Sequence, residues 1–448
     1  GIVYCLTKAD CERVASFLGS QGVEAAAYHS DLDDETRVFR EQALLGNRLK
    51  ALVATVALGM GFDKPDLGFV VHFQRPGSVI AYYQQIGRAG RSVDEAYAVL
   101  LNGAEDDEIQ EFFINSAFPA PEAMQSVLDI VESGGGVTIR NIQQSLNLTH
   151  GRIENALKLL EIDGAVTRDG SSYVRTFREW QPDIERAERV TRQRYEELQR
   201  MRDFVTHTGC LMEFVARELD DPTARPCGRC AACAGDIVPS HVDEALELTA
   251  IRFLRRSERV IEPRRQWPTT SPDRSIRIPP EQQLREGRAL CFYGDAGWGR
   301  MVVRGKYVDG RFSDELVEAS AQLIERWRPE PMPQWVTSVP SLRRPELVKD
   351  FARRLADRLK LAYVTALSKP RAGEEQKRMA NSYMQWHNVD TTLEVIAEAV
   401  GKGAVLLVDD IFDSRWTLTV CGHGLIEAGS GPVYPFTLAD ASQFGGDT

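Results

Sequence analysis

Residues 51–63, Ala-Leu-Val-Ala-Thr-Val-Ala-Leu-Gly-Met-Gly-Phe-Asp, constrain the fold of this chain more than any other stretch. A continuous apolar run that breaks into a glycine-rich loop and ends on an acid reads as a buried strand feeding a loop. Similar runs occupy 2–6 and 69–73, and the segments between them carry helical periodicity. Near-continuous rather than alternating hydrophobicity marks strands covered on both faces, as in a parallel sheet. Residues 1–118 are therefore expected to form an α/β lobe.

The chemistry of that lobe is concentrated in Tyr-Tyr-Gln-Gln-Ile-Gly-Arg-Ala-Gly-Arg (82–91), where Gln84, Gly87, Arg88 and Arg91 stand in the spacing Q-x-x-G-R-x-x-R. Guanidiniums held near one another on a glycine-loosened turn suit the charge that spreads over a transferring γ-phosphate. The plainer alternative is a solvated helix face. Taken in order, Tyr28-His29-Ser30-Asp31-Leu32, the 51–63 run, Val70-Val71-His72-Phe73 and 82–91 resemble motifs IV, V and VI of a superfamily 2 helicase, and their wording is similar to the RecQ family.

The resemblance implies a second RecA-like lobe of an ATP-dependent DNA helicase. It further implies 3′-to-5′ movement on single-stranded DNA and a role in repair or recombination alongside other repair proteins. Arg88 and Arg91 would complete an ATP–Mg²⁺ site across an interlobe cleft. Gln84, Gly87 and Asp63 would position nucleotide or couple the site to DNA, and Thr55 and His29 are candidates for contact with the DNA backbone. The phosphate-cradling G-x-x-x-x-G-K-[ST] of a first lobe is missing: Gly-Lys occurs at 305–306 and 401–402, with no Ser or Thr following. The expectation is a C-terminal portion of a larger helicase that does not hydrolyse ATP by itself.

The 448 residues leave room for about three domains. No apolar run approaches the roughly 20 residues of a membrane span, and no signal-peptide pattern opens the chain. A cytoplasmic, bacterial nucleoid-associated protein with no membrane partner is expected. A net charge of −11 argues against indiscriminate coating of nucleic acid but leaves room for a local basic stripe. Arg252, Arg255, Arg256, Arg259, Arg264 and Arg265 are one candidate, with a solvated arm as the alternative.

Residues 119–180 read as helix, Gly134-Gly135-Gly136 turn, a short helix capped by Thr138, and a third helix capped by Thr149 with Ile153, Leu157, Leu160 and Ile162 on its apolar side. A hairpin over 165–174 follows, giving a winged helix. Arg152 and Asn155 could reach DNA from the third helix; packing or protein binding is the alternative. Residues 181–236 hold a charged helix, about 183–207, and then Cys210, Cys227, Cys230 and Cys233 in the spacing C-x16-C-x2-C-x2-C. Two-residue gaps let consecutive thiolates face one ion, and four sulfurs imply a closed, structural Zn²⁺ site. The spacing also resembles the zinc module of RecQ helicases, with one departure: here the winged helix precedes the cysteines. Cys5, Cys11, Cys291 and Cys421 lack ligand spacing and read as ordinary thiols.

Residues 237–282 are expected to be a helix and a Pro-rich linker (262–282), and 283–448 a further α/β domain. In that domain Ala404–Val408 reads as a buried strand ending in Asp409-Asp410 and running through Asp413-Ser414-Arg415-Trp416-Thr417 towards a helix. Strand-end acids can hold ribose hydroxyls, and loop amides with Ser or Thr hydroxyls can hold a phosphate. The segment resembles the PRPP motif of type I phosphoribosyltransferases, most like the ComF group, which would make Asp409, Asp410, Ser414 and Thr417 PRPP-binding. The family's Thr-Gly-x-Thr is here Ser414-Arg415-Trp416-Thr417, and Arg415 forfeits the freedom of glycine. Besides the helicase, two readings stand: a PRPP-dependent transferase delivered to DNA, and a non-catalytic DNA- or protein-docking platform.

Overall fold

The computed structural model describes residues 1–59, 61–103, 105–235, 238–239, 241–256, 258–268, 277–295, 297–371 and 379–442. They form two compact units, each built from two separated stretches: residues 1–118 with 182–244, and 119–181 with 245–448.

The first unit begins with β1 (Ile2–Tyr4), α1 (Lys8–Ser20), β2 (Ala25–Tyr28), α2 (Asp34–Leu45), β3 (Ala51–Ala54), β4 (Phe69–His72), α3 (Val79–Ile86), β5 (Tyr97–Leu100) and α4 (Glu105–Ser116). Its strands pair in parallel in the order β2-β3-β1-β4-β5, so the expected α/β lobe with a parallel sheet is present. Thr7, Asp33 and Ser78 cap α1, α2 and α3, each side chain accepting a backbone N–H three residues on. The apolar run 51–56 overstates its strand. β3 stops at Ala54, and Val56 is exposed where the chain turns into the loop.

The second unit opens with α5 (Pro121–Gly134), α6 (Ile139–Ser145), α7 (His150–Ile162) and an antiparallel hairpin of β6 (Val166–Asp169) and β7 (Ser172–Arg175). Helix α5 continues to Gly134. Gly135 and Gly136 make the turn with φ of 62° and 130°, a region other residues seldom enter. On α7, Ile153, Ala156, Leu157 and Leu160 are buried but Ile162 is 66% exposed, correcting its place on the apolar side. At 3.6 residues per turn Ile162 lies about half a turn out of phase with Ile153.

The chain then returns to the first unit through α8 (Ile184–Thr206), α9 (Leu211–Glu218) and α10 (Ala231–Ala234). Met201, Phe204 and Val215 pack against Val79 and Tyr82 of α3. Arg202 ties α8 to α4 through Asp107 and Glu111, each at 2.9 Å.

The rest of the second unit comprises α11 (Glu244–Arg256), β8 (Arg259–Ile261), β9 (Gly287–Phe292), α12 (Gly299–Arg304), α13 (Asp314–Trp327), β10 (Trp335–Ser338), α14 (Leu347–Leu359), β11 (Ala362–Tyr363), β12 (Leu367–Ser368), α15 (Ser382–Asp390), β13 (Glu394–Val395), β14 (Val405–Phe412), α16 (Trp416–Glu427) and β15 (Val433–Asp440). The main sheet runs β11-β10-β14-β15-β9-β8, parallel except for β8 against β9. Val405–Val408 of β14 are fully buried between two apolar layers, which explains their unbroken hydrophobicity. Helix α15 is fastened to α6 by Asn381, whose Nδ2 donates to Gln143 O at 3.0 Å and Leu146 O at 2.8 Å.

The expected linker 262–282 is a correction. β8 immediately before it is a sheet strand, and Trp267 and Ile278 are buried; residues 269–276 lie outside the described ones. Trp267 stacks on Trp416 with ring centroids 6.2 Å apart. One indole buries about 150–250 Å², enough to dock a segment whose proline and polar content reads as linker. Part of the basic stripe is committed: Arg259 lies over Phe292 and pairs with Asp440, and Arg264 lies over Trp416. The Arg256 side chain is outside the described residues.

Candidate functional site

In the first unit, α3 ends at Ile86 and Gly87 closes it, its N–H donating to Tyr83 O at 2.9 Å. A Cβ on Gly87 would sit 3.2 Å from that carbonyl, a tight contact that glycine avoids. The turn sends Arg88 back under the loop after β3, where its guanidinium donates to Phe62 O at 3.1 Å and Leu58 O at 3.4 Å. Arg91 meets Asp63 at 2.7 Å, with both side chains about half exposed. The structure thus joins Gly87, Arg88, Arg91 and Asp63 from two separated motifs, with Gln84 exposed on α3. Arg88 is committed to loop carbonyls, whereas Arg91 is held by a surface pair that an incoming anion could rearrange.

The two DNA-backbone candidates are both buried residues of the first unit. His29 is 6% exposed and its Nε2 lies 2.8 Å from Glu12 Oε1. Thr55 is 9% exposed, and its Oγ1 accepts the Ala57 N–H at 3.3 Å. Both stand one residue past the ends of β2 and β3 and are buried in the lobe. Arg152 and Asn155, in contrast, are exposed on α7.

The four cysteines converge: the sulfurs of Cys210, Cys227, Cys230 and Cys233 lie within 4.8 Å of one another. Cys210 is the N-cap of α9 and receives the N–H groups of Glu213 at 3.4 Å and Cys227 at 3.2 Å. Cys227 Sγ receives Arg229 and Cys230 N–H at 3.4 and 3.3 Å, around a Gly228 with φ of 70°. N–H donors aimed at sulfur stabilise thiolates, and four such sulfurs fit a soft, tetrahedral ion with no open position.

In the second unit, β14 carries Asp409 and Asp410 but does not end on them as expected: it continues to Phe412, pairing Ile411 and Phe412 with β15. Asp409 Oδ1 accepts the Asp410 N–H, and Asp410 Oδ1 the Ile411 N–H, both at 2.8 Å. Lys306, on a π-helical turn after α12, reaches Asp410 at 2.7 Å. Burial, reinforced by the neighbouring Asp410 carboxylate, pushes Asp409 up to about 8. Arg415 is the N-cap of α16 with φ of 67°, the left-handed conformation that glycine ordinarily fills, and its Nη1 donates to Glu262 O at 3.2 Å. Arg264 crosses the same loop, with Nε donating to Ser414 O at 2.8 Å. Burial, and then the nearby Arg415 charge, lower Arg264 to about 10. Trp416 is buried, while Ser414 and Thr417 are partly exposed. The place of Lys306 and Arg264 at this site escapes a sequence reading: the first lies in a Gly-Lys without a P-loop, and the second reads there as part of a basic stripe in an apparent linker.

Residues 1–93 match the helicase conserved C-terminal domain. Among curated proteins, RecQ-like DNA helicase blm-1 of Caenorhabditis elegans is 42% identical over 24% of this chain and 11% of its own length. The putative ATP-dependent DNA helicase Q1 of the same organism is 44% identical over 22% of this chain and 16% of its own. ATP-dependent DNA helicase RecQ of Pasteurella multocida (strain Pm70) is 44% identical over 22% and 16%. The chain thus spans between a tenth and a fifth of these relatives' length. The segment matched to the helicase conserved C-terminal domain contains β1 to β4, α3 and the Arg88–Arg91 turn, and the relatives that the chain is similar to are RecQ-type helicases.

Proposed function

We propose that this chain supplies the second motor lobe of an ATP-dependent, 3′-to-5′ DNA helicase of RecQ type that acts in repair or recombination. The observation that carries the reading is the Arg91–Asp63 pair beside Arg88, built where the loop after β3 meets the end of α3. Arg88 shapes the loop, and Arg91 is the guanidinium positioned to leave its carboxylate for a γ-phosphate presented by a P-loop lobe. The 448 residues carry no G-x-x-x-x-G-K-[ST], so hydrolysis in this reading needs a P-loop-bearing first lobe and ATP–Mg²⁺. We assign Zn²⁺ to the four-cysteine cluster and a winged helix to 119–180, with Arg152 facing DNA. In a motor joining this chain to a P-loop-bearing RecA-like lobe, Arg91→Ala should lower DNA-stimulated ATP turnover by about 10³-fold, the scale of an arginine finger, with KM little changed. Full turnover in that variant would remove Arg91 from the site.

The acid pair of β14, with Asp410 buried and Asp409 partly so, supports a second reading, a PRPP–Mg²⁺ site in the second unit. Asp409 and Asp410 would hold the ribose hydroxyls, with Ser414 and Thr417 at the phosphate. The left-handed Arg415 takes the glycine's place in the loop without its bare backbone. Titration calorimetry of the chain with PRPP and Mg²⁺ should show binding that the Asp409→Asn/Asp410→Asn double variant loses. No heat from the parent chain would leave this unit a scaffold.

A further inference from the structure

Away from the acid pair, α11, α13 and the turn before α12 enclose a half-open recess of about 240 Å³. Arg252 and Arg255 line one side and Arg326 the other, over a floor that includes Leu290 and Ala319, with Trp298 in the wall. The cations outnumber the acids that face them. Glu258 is shared between Arg326 at 3.8 Å and Arg288 at 3.7 Å, and Arg252 has no hydrogen-bond or ion-pair partner among the described residues. Trp298 is fixed in place: its Nε1 donates to Arg255 O at 3.1 Å, and the Arg255 guanidinium lies 4.6 Å over its ring. A fixed indole layered with a guanidinium is a platform for a flat ring, and two further guanidiniums beside it answer the charge of a phosphate.

We propose that this recess receives a nucleotide of single-stranded DNA, with its phosphate between Arg252 and Arg326 and its base against the Arg255–Trp298 stack. The contact is sequence-tolerant because every base has a π-face and every nucleotide a phosphate. The choice of DNA among polyanions rests on the helicase reading above.

The test uses the full chain and a labelled oligo(dT) strand, with anisotropy read across a salt series for the parent and the Arg252→Ala/Arg326→Ala variant. The variant should bind several-fold more weakly, and the slope of log K against log salt should shrink by about 0.7, the value for one lost single-strand phosphate contact. Trp298→Ala should weaken binding without changing the slope. Unchanged affinity and slope in the double variant overturn the proposal. Equal competition by free dTMP also overturns it, by assigning the recess to a mononucleotide. Loss of DNA-stimulated turnover in Arg91→Ala alongside normal strand binding by the arginine double variant would leave the helicase reading standing and this one refuted.

Discussion

At the scale of single residues, the same side-chain type serves opposite ends. Arg88 is spent on the Phe62 and Leu58 carbonyls, Arg264 is stacked on Trp416, and Arg91 and Arg252 remain near the surface with weak or no counter-charge. Exposure separates structural guanidiniums from those available to a ligand, and spacing alone does not. Asp409 gives the sharpest consequence. Its carboxyl is raised to about 8 by burial and by Asp410, against an ordinary value of 3.8. Between these values the folded unit holds a proton that the unfolded chain releases, so this group's contribution to stability falls as pH rises from about 4 to 8. Asp409→Asn keeps an oxygen for the Asp410 N–H but cannot ionise. Melting of the second unit followed across that window should show less loss with rising pH in the variant than in the parent, and equal loss would place the titration elsewhere.

At the scale of elements, position in the fold decides what a segment can do. Helix α3 carries its motif on one side while Val79 and Tyr82 on the other receive Met201, Phe204 and Val215. The motif helix is therefore braced by elements more than a hundred residues later in the chain. The segment after α11 reads as a linker by composition. It instead adds β8 to the sheet and sends Arg264 and Trp267 over the N-terminus of α16. That docking holds Arg415 in its left-handed conformation, whose intrinsic cost of about 1–2 kcal/mol is set against its bond to Glu262 O.

For the whole molecule, the two compact units do not follow the chain order. Residues 182–244 rejoin the first lobe and 119–181 join the C-terminal sheet. The cysteine cluster thus belongs to the unit that contains the Arg91 turn, although the winged-helix-like segment intervenes in sequence. Metal binding is folding free energy for a site the unfolded chain lacks. Chelation of the purified protein, or Cys227→Ser with Cys230→Ser, should lower the melting transition of the first unit and leave that of the second unchanged. Metal analysis should fall in parallel from one zinc per chain, and a parent protein with well under one zinc would remove the site.

Local chemistry carried much of this into the sequence. The buried parallel strands, the Thr138 and Thr149 caps, the hairpin, the cysteine knuckle and the Gln84–Arg91 spacing depend on neighbours a few residues away, and each is legible there. The Arg91–Asp63 and Lys306–Asp410 pairs, the burial of His29 and Thr55, the docking of Trp267 and the recess beside Trp298 depend on chain segments brought together from far apart. Composition and periodicity report whether a residue favours burial. Which partner buries it, and which charge it meets, is decided by packing among distant elements, so only the tertiary structure could supply those answers.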